Sequence, residues 1–421
     1  MMLKLKQLIS KGFFHIFGAN VINKIIGFAS SIFLVRILTK EQFGLLSYSQ
    51  NLLMFFLLFN GLGTISGMLQ FGSESENKSI RSSYFRFGLK IGITFNLFVS
   101  ICIVFFGAFL PVQFEKARII LIAMLALPIC MFTFESIQTY FRTSLENKKF
   151  SFLTTINTLA VFLFSITGAL LFQAVGVIIF QYIAYMVTII IGLFFLKDNL
   201  LNIKKANKLA KEKKRAFMKF SIVQSFNNGI AQMLYVIDIF IIGIIISNEL
   251  VIASYKTATL IPFALNFIPM SIMVFIYPYF AKKNKDKLWI RNNFIKLIKY
   301  LMGINIMISL FLIIFSKLIV TIAFGSDYQD SVLPFIILSI GYFFAGTFRI
   351  PVGNVLVMLK EVKFGLYLSI LTGVLNIVLN IVLITYFGSL GAAISTVLVF
   401  IFTSGIGMWY LFRILKVPNK I

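Results

Sequence analysis

Lys24, Arg349, Asp238, Lys256 and Glu135 lie within stretches that are otherwise almost wholly apolar. Lys24 is in the middle of NVINKIIGF, with Asn20 and Asn23 about one helical turn away, and Asn20 and Lys24 share a helical face. An ammonium at the centre of a bilayer is stable only where it faces a polar cavity or a partner, so Lys24 either lines a cavity or takes part in a structural ion pair. Arg349, in GTFRIPVGN, keeps its proton at any accessible pH, and its planar fork matches phosphate oxygens in pairs. Pro351 frees a carbonyl one turn earlier and opens the backbone beside the guanidinium. Arg349 therefore serves either an anionic ligand or the packing of one helix on another.

Asp238 and Lys256 flank a short polar turn around Asn248 at offsets that bring them to similar depth in a helical hairpin. They could neutralise one another; alternatively Asp238 binds H⁺ or Na⁺ as a coupling ion and Lys256 adds positive potential to a cavity. Glu135, in FTFESIQTYFR, has the same two readings, an ion pair with Arg142 two turns away or a proton-coupling role. Asn376 and Asn380 are one turn apart on a single helical face, which suits a shared cavity lining or a helix interface.

Several other chemistries lack the residues they would need. The chain has no GxxxxGK[ST] loop, no HExxH and no polar domain to hold a nucleotide, so no enzymatic role, catalytic residue or cofactor is expected. Any transport would draw on an ion gradient, the membrane potential or the gradient of the cargo. Cys102 and Cys130 both lie in apolar segments, and the lone His15 lies near the start of the first one, so no metal site is expected.

The elements that must position these groups are transmembrane helices. With 59% apolar and 13% charged residues over 421 positions, the chain falls outside the composition of soluble domains. Twelve segments can cross about 30 Å of hydrocarbon at about 1.5 Å per residue. They are residues 12–35, 43–70, 87–110, 117–141, 150–171, 174–196, 220–246, 250–280, 294–323, 331–359, 364–387 and 389–412. The first is too long and too polar for a cleaved signal peptide.

Thirty of the 39 Lys and Arg fall around the two termini and the even-numbered turns, against five around the odd-numbered turns, which places both termini in the cytoplasm. Lys90, close to a cytoplasmic end, can snorkel to the headgroups. The basic stretch KDNLLNIKKANKLAKEKKRAFMK, residues 197–219, then connects two halves in the cytoplasm, and it has no folded polar partner with which to hold nucleic acid. Leu200, Leu201, Ile203 and Leu209 interleave with its lysines as in an amphipathic helix on the inner leaflet. The expected architecture is all-α and polytopic, with six-helix bundles over residues 1–196 and 220–421.

The halves share a faint pattern. Ser47-Tyr48 follows Glu41, and Ser254-Tyr255 follows Glu249, each pair opening the second span of its half. Six spans return the chain to its starting side, so a repeat would be related by an axis along the membrane normal, as in a two-lobed transporter. Pro128, Pro262, Pro269, Pro278, Pro334 and Pro351 lie in or at the ends of spans and are expected to bend them.

The first hairpin, NVINKIIGFASSIFLVRILTKEQFGLLSY followed by GLG at 61–63, and the late segments PVGNVLVMLKEVKF and LTGVLNIVLNIVLITYFGSLGAAIST resemble the polysaccharide-biosynthesis branch of the MATE-like exporters, the Wzx-type O-antigen or capsule repeat-unit flippases. The resemblance covers essentially the whole chain. It implies a V-shaped pair of six-helix bundles, alternating access, a cationic central cavity, and passage of undecaprenyl-pyrophosphate-linked oligosaccharide to the periplasmic leaflet of a bacterial inner membrane. Lys24 and Arg349, with Lys256, Asn20 and Asn23, fit the substrate positions it implies. Asp238 and Glu135 remain the ion-coupling candidates. A monomer working beside a glycan polymerase and a chain-length regulator is the expected setting. No thirteenth and fourteenth spans are evident, unlike in the lipid II flippases, and the positive balance within the spans disfavours a cation-drug extruder. A MATE-type antiporter for a small molecule is the alternative.

Overall fold

The computed structural model describes residues 13–416 apart from 76, 110–113, 284–285 and 360. Those residues form helices and no strand. In chain order the helices are α1 (Phe13–Ile37), α2 (Lys40–Leu57), α3 (Thr64–Glu74), α4 (Lys78–Phe109), α5 (Glu115–Ala123), α6 (Leu127–Thr143), α7 (Asn147–Lys204) and α8 (Lys211–Ile245). They continue as α9 (Glu249–Ala264), α10 (Phe267–Lys282), α11 (Lys287–Ile314), α12 (Ser316–Ala323), α13 (Val332–Phe344), α14 (Ile350–Met358), α15 (Val362–Phe387) and α16 (Ser389–Ile414).

Among the described residues, nine helical stretches are long and apolar enough to cross a membrane. Two of the expected spans, 150–171 and 174–196, lie together on the 58 residues of α7, which reverses direction at Phe172 and Gln173. Gln173 takes φ 53°, ψ −139° at this turn, and Gly388 takes φ 59°, ψ −136° at the turn between α15 and α16. In both hairpins a glycine three residues beyond the turn lets the legs touch: a Cβ on Gly176 would strike the backbone of Gly168, and one on Gly391 the backbone of Leu383. These matching hairpins make the repeat much clearer than the serine-tyrosine pairs do.

The chain divides into two compact units, one running to Gln232 and the other starting at Met233, so the division falls inside α8. In the first unit, α1 packs along α7, and the core gathers Phe132, Phe141, Leu153 and Phe217. In the second, α13 packs on α16 and α9, and the core gathers Ile290, Phe294, Val355 and Leu411. Each unit has a short turn capped by a side chain. Thr39 accepts the amide of Gln42 to start α2, and Asn248 accepts the amides of Leu250 and Val251 to start α9.

Prolines stand at several interruptions. Pro128 opens α6, Pro262 lies two residues before the end of α9, and Pro351 follows a π-turn over Ala345–Arg349. The expected amphipathic surface helix in the basic connector is absent. Leu200, Leu201 and Ile203 continue α7, residues 206–210 are not helical, and Leu209 is buried in the first unit's core. Arg86 of α4 ties the connector down by donating to the Ala206 carbonyl at 2.9 Å.

Candidate functional site

In the second unit Asp238 lies on α8, seven residues before the helix ends, and only 4% of it is exposed. Three neutral donors from three helices converge on its carboxylate: Tyr255 Oη of α9 at 2.7 Å, Thr396 Oγ1 of α16 at 2.6 Å and Asn380 Nδ2 of α15 at 2.8 Å. Asn380 Nδ2 also donates to the Asn376 carbonyl, which accepts Ser395 Oγ as well. Two buried amide oxygens, Asn376 Oδ1 and Asn380 Oδ1, have no hydrogen-bond partner. Unpaired buried acceptors are costly and call for an explanation. A single carboxylate surrounded by amide and hydroxyl oxygens has the donor set of a site for a hard monovalent cation. No group of three or more His, Cys, Asp or Glu that could hold a multivalent metal occurs among the described residues.

The ion pair weighed for Asp238 and Lys256 does not form. Lys256 follows Tyr255 directly on α9, and one helical residue turns a side chain by about 100°, so Tyr255 faces the carboxylate and Lys256 does not. Neutral donors therefore satisfy Asp238. Arg349 closes the π-turn that joins α13 to α14, and its guanidinium lies over the Phe400 ring at 4.8 Å from the centroid. Pro351 offers no N–H to Thr347, and the widened turn is closed instead by the Ile350 amide bonding to the Ala345 carbonyl. Asn305 of α11 braces the widened turn, donating to Thr347 Oγ1 at 3.2 Å and accepting Tyr342 Oη at 2.8 Å.

In the first unit Glu135 of α6 accepts Asn60 Nδ2 at 3.2 Å. The alternative pairing with Arg142 is absent: two helical turns separate the two along the axis by about 10 Å, and Arg142 lies over Phe150 instead. Asn60 is in a break between α2 and α3 where Gly61, Leu62 and Gly63 all take left-handed φ, at 56°, 52° and 71°. Lys24 is exposed on α1. The amide atoms of Asn23 beside it are buried and have no partner. The side chains of Asn20 and His15 lie outside the described residues.

The structure thus brings Asp238, Asn376 and Asn380 together and adds Tyr255 and Thr396, which sequence reasoning missed as site residues. The Ser254-Tyr255 pattern was a signal for the first, and Thr396, 2.6 Å from the carboxylate, ends the LTGVLNIVLNIVLITYFGSLGAAIST segment that carries the family resemblance. Asn60 and Asn96, the partners of the Glu135 region, were also missed, although a polar Asn-Gly break in an apolar run was visible.

Each unit thus has interrupted helices and an acid bonded to an amide, Glu135 to Asn60 in the first and Asp238 to Asn380 in the second. The chain belongs to the polysaccharide biosynthesis protein family, whose profile it matches over residues 33–333. It has the fold of a multidrug resistance MATE family transporter of the MOP superfamily in an inward-facing conformation, with TM-score 0.79 and 12% identity over 93% of this chain and 94% of that one. It is also similar to the lipid II flippase MurJ, with TM-score 0.72 and 17% identity over 96% and 87% of the two chains. A MOP superfamily transporter from Pyrococcus furiosus, described as having reversed binding-pocket polarity, matches with TM-score 0.61 and 11% identity over 98% and 97%. No curated protein matches the chain.

Proposed function

We propose that this protein is a flippase of the bacterial inner membrane that moves a diphosphate-linked oligosaccharide from the cytoplasmic to the periplasmic leaflet by alternating access. Undecaprenyl pyrophosphate is the carrier that the family resemblance suggests, with O-antigen or capsule repeat units as cargo. The observation that carries this reading is Arg349. A permanently charged fork set in a π-turn within a span, stacked on Phe400, is suited to hold a diphosphate. In the first unit Lys24 is an exposed cation of α1. Membership of a polysaccharide biosynthesis family supports a glycan cargo.

Exchange of a cation at Asp238 would supply the driving force. Its carboxylate, with Asn376 Oδ1, Asn380 Oδ1, Thr396 Oγ1 and Tyr255 Oη, would hold the ion, and the donors now pointing at the carboxylate would turn their lone pairs inward. Loss of the ion returns those hydrogens to Asp238, so the packing of α8, α9, α15 and α16 depends on occupancy. Deleting the gene is expected to abolish surface glycan and leave repeat units on carrier lipid in the cytoplasmic leaflet. Normal surface glycan in the deletion strain would refute this reading.

The oxygen-rich Asp238 cluster together with the MATE fold also supports ion-coupled export of a small molecule. That reading requires the protein to lower the accumulation of a fluorescent cation when expressed, and unchanged accumulation counts against it.

A further inference from the structure

The two units repeat closely enough to be compared position by position. Leu145 and Leu359 open the matched stretches LENKKF and LKEVKF, and an equal count back from each leucine places Glu135 opposite Arg349. Asn60 and Asn266 each lie at the break in the second span of their unit. Asn96 and Asn305 are both fully buried on α4 and α11. Equal counts from the hairpin turns at Gln173 and Gly388 place Ser165 and Gln181 opposite Asn380 and Thr396. Ser31 lies opposite Asp238, at the same distance before Tyr48 as Asp238 is before Tyr255. The first unit's counterpart of the Asp238 site is therefore uncharged. There Gln181 Nε2 donates to Ser165 Oγ at 3.5 Å, and Ser31 Oγ bonds to its own helix at Gly27. The acid of the first unit is instead Glu135, at the position where the second unit carries the guanidinium of Arg349.

A chain of hydrogen bonds sets what Glu135 can bind. The Gly61 amide, turned by the left-handed break, donates to Asn96 Oδ1 at 2.9 Å. That fixes Asn96 Nδ2 toward Asn60 Oδ1 and the Pro128 carbonyl, both at 2.8 Å. With its oxygen taken, Asn60 must present Nδ2 to Glu135 Oε2. At Glu135 the neighbouring amide is thus locked as a donor, whereas Asn376 and Asn380 keep amide oxygens free beside Asp238. A metal cation needs oxygens from several groups, and the second oxygen of a carboxylate beside a donor needs only a proton.

We propose that Glu135 is a proton-binding site of the first unit, chemically separate from the cation site at Asp238, and that the break at Asn60–Gly63 responds to its protonation. Helices α3, α4 and α7 pack around α6, together with the turn at Asn60–Gly63. The turn brings Asn60. Helix α4 brings Asn96, with Lys78, Arg81, Arg86 and Lys90 in its N-terminal half, where Arg81 and Arg86 are bonded to Ser144 and Ala206. The titratable residue of α3 is Glu74 at its far end, bonded to Gln70. Helix α7 brings Tyr185 within electrostatic reach, and Cys130 lies on α6 itself. No ion pair reaches Glu135 among the described residues.

The test uses the purified full chain in lipid nanodiscs and needs no cargo, so its outcome is independent of the glycan reading. Infrared difference spectra between alkaline and acidic pH report the carbonyl band of a protonated carboxylic acid. Subtracting Glu135→Gln from wild type should leave one such band, which persists in Asp238→Asn, returns in Glu135→Asp and does not diminish with Na⁺ at fixed pH. Asn60→Ala removes the donor and should move the midpoint at which the band appears. The proposal fails if the subtraction leaves no band, if Na⁺ removes it, or if Asn60→Ala leaves the midpoint unchanged.

Discussion

A carboxylate shut away from water is held by what donates to it, and at Asp238 the donors are two hydroxyls and an amide. Removing one of them leaves a buried acceptor short, at a cost of about 1–3 kcal/mol. Thr396→Val should therefore lower the melting temperature of the purified protein, and a melting curve measured with and without Na⁺ reads the second effect. Wild type should be stabilised by Na⁺ through mass action, and Asp238→Asn should not respond. An equal response from both would place the ion elsewhere. Arg349 is argued on the same scale. Arg349→Lys keeps the charge but loses the paired geometry and should retain partial surface-glycan display, while Arg349→Ala and Lys24→Ala should fall further. Lys24→Arg should be tolerated, and Lys283→Ala, exposed after α10, should change little because solvent and neighbouring cations screen it. Membrane protein levels must be matched across the set, and near-normal display from both alanine variants would make these cations structural.

At the scale of elements, the hairpin turns supply a paired test. Gln173 occupies a region of φ/ψ that suits glycine, and its counterpart is Gly388. Gln173→Gly should stabilise the protein by about 1 kcal/mol by relieving that strain, and Gly388→Gln should destabilise it by a similar amount, both read from thermal unfolding. A loss of stability in Gln173→Gly would show that the turn is held by something other than its backbone. The break at Asn60–Gly63 depends on space as well as conformation. A Cβ on Gly61 or Gly92 would run into the Phe132 ring, so Gly92→Ala should cost about 1–3 kcal/mol through overpacking. Near-neutral behaviour would mean that Phe132 can swing away.

For the whole molecule, the distribution of Lys and Arg argues that the basic connector and both termini face the cytoplasm. Reporter fusions at residue 208 and at the C-terminus should be active only in cytoplasmic formats, and periplasmic activity at either point would overturn the map. The connector is anchored to the first unit through Ala206 and Leu209, so a fusion at 208 should be made as an insertion with flexible flanks. The two units carry the same repeat with different polar groups. In the second unit the acid lies against the α15–α16 hairpin and a cation at the π-turn; in the first, the hairpin position is neutral and the acid stands beside the helix break.

Hydropathy and charge are properties of short windows, which is why the sequence by itself determined that the chain is helical, where the apolar stretches run, and which charges are too deep to be incidental. Asp238, Asn376, Asn380, Glu135 and Arg349 all stood out that way. The neighbours of each group are not a local property. Asp238 meets Thr396 across more than half of the second unit's sequence, Glu135 meets Asn60 across three helices, and helical rotation turned Lys256 away from the acid it matched in depth. The direction of each amide was likewise settled only by tertiary structure. Whether an asparagine offers an oxygen or an N–H depends on what already occupies its other end, and at Asn60 that was decided by a backbone amide in a left-handed turn.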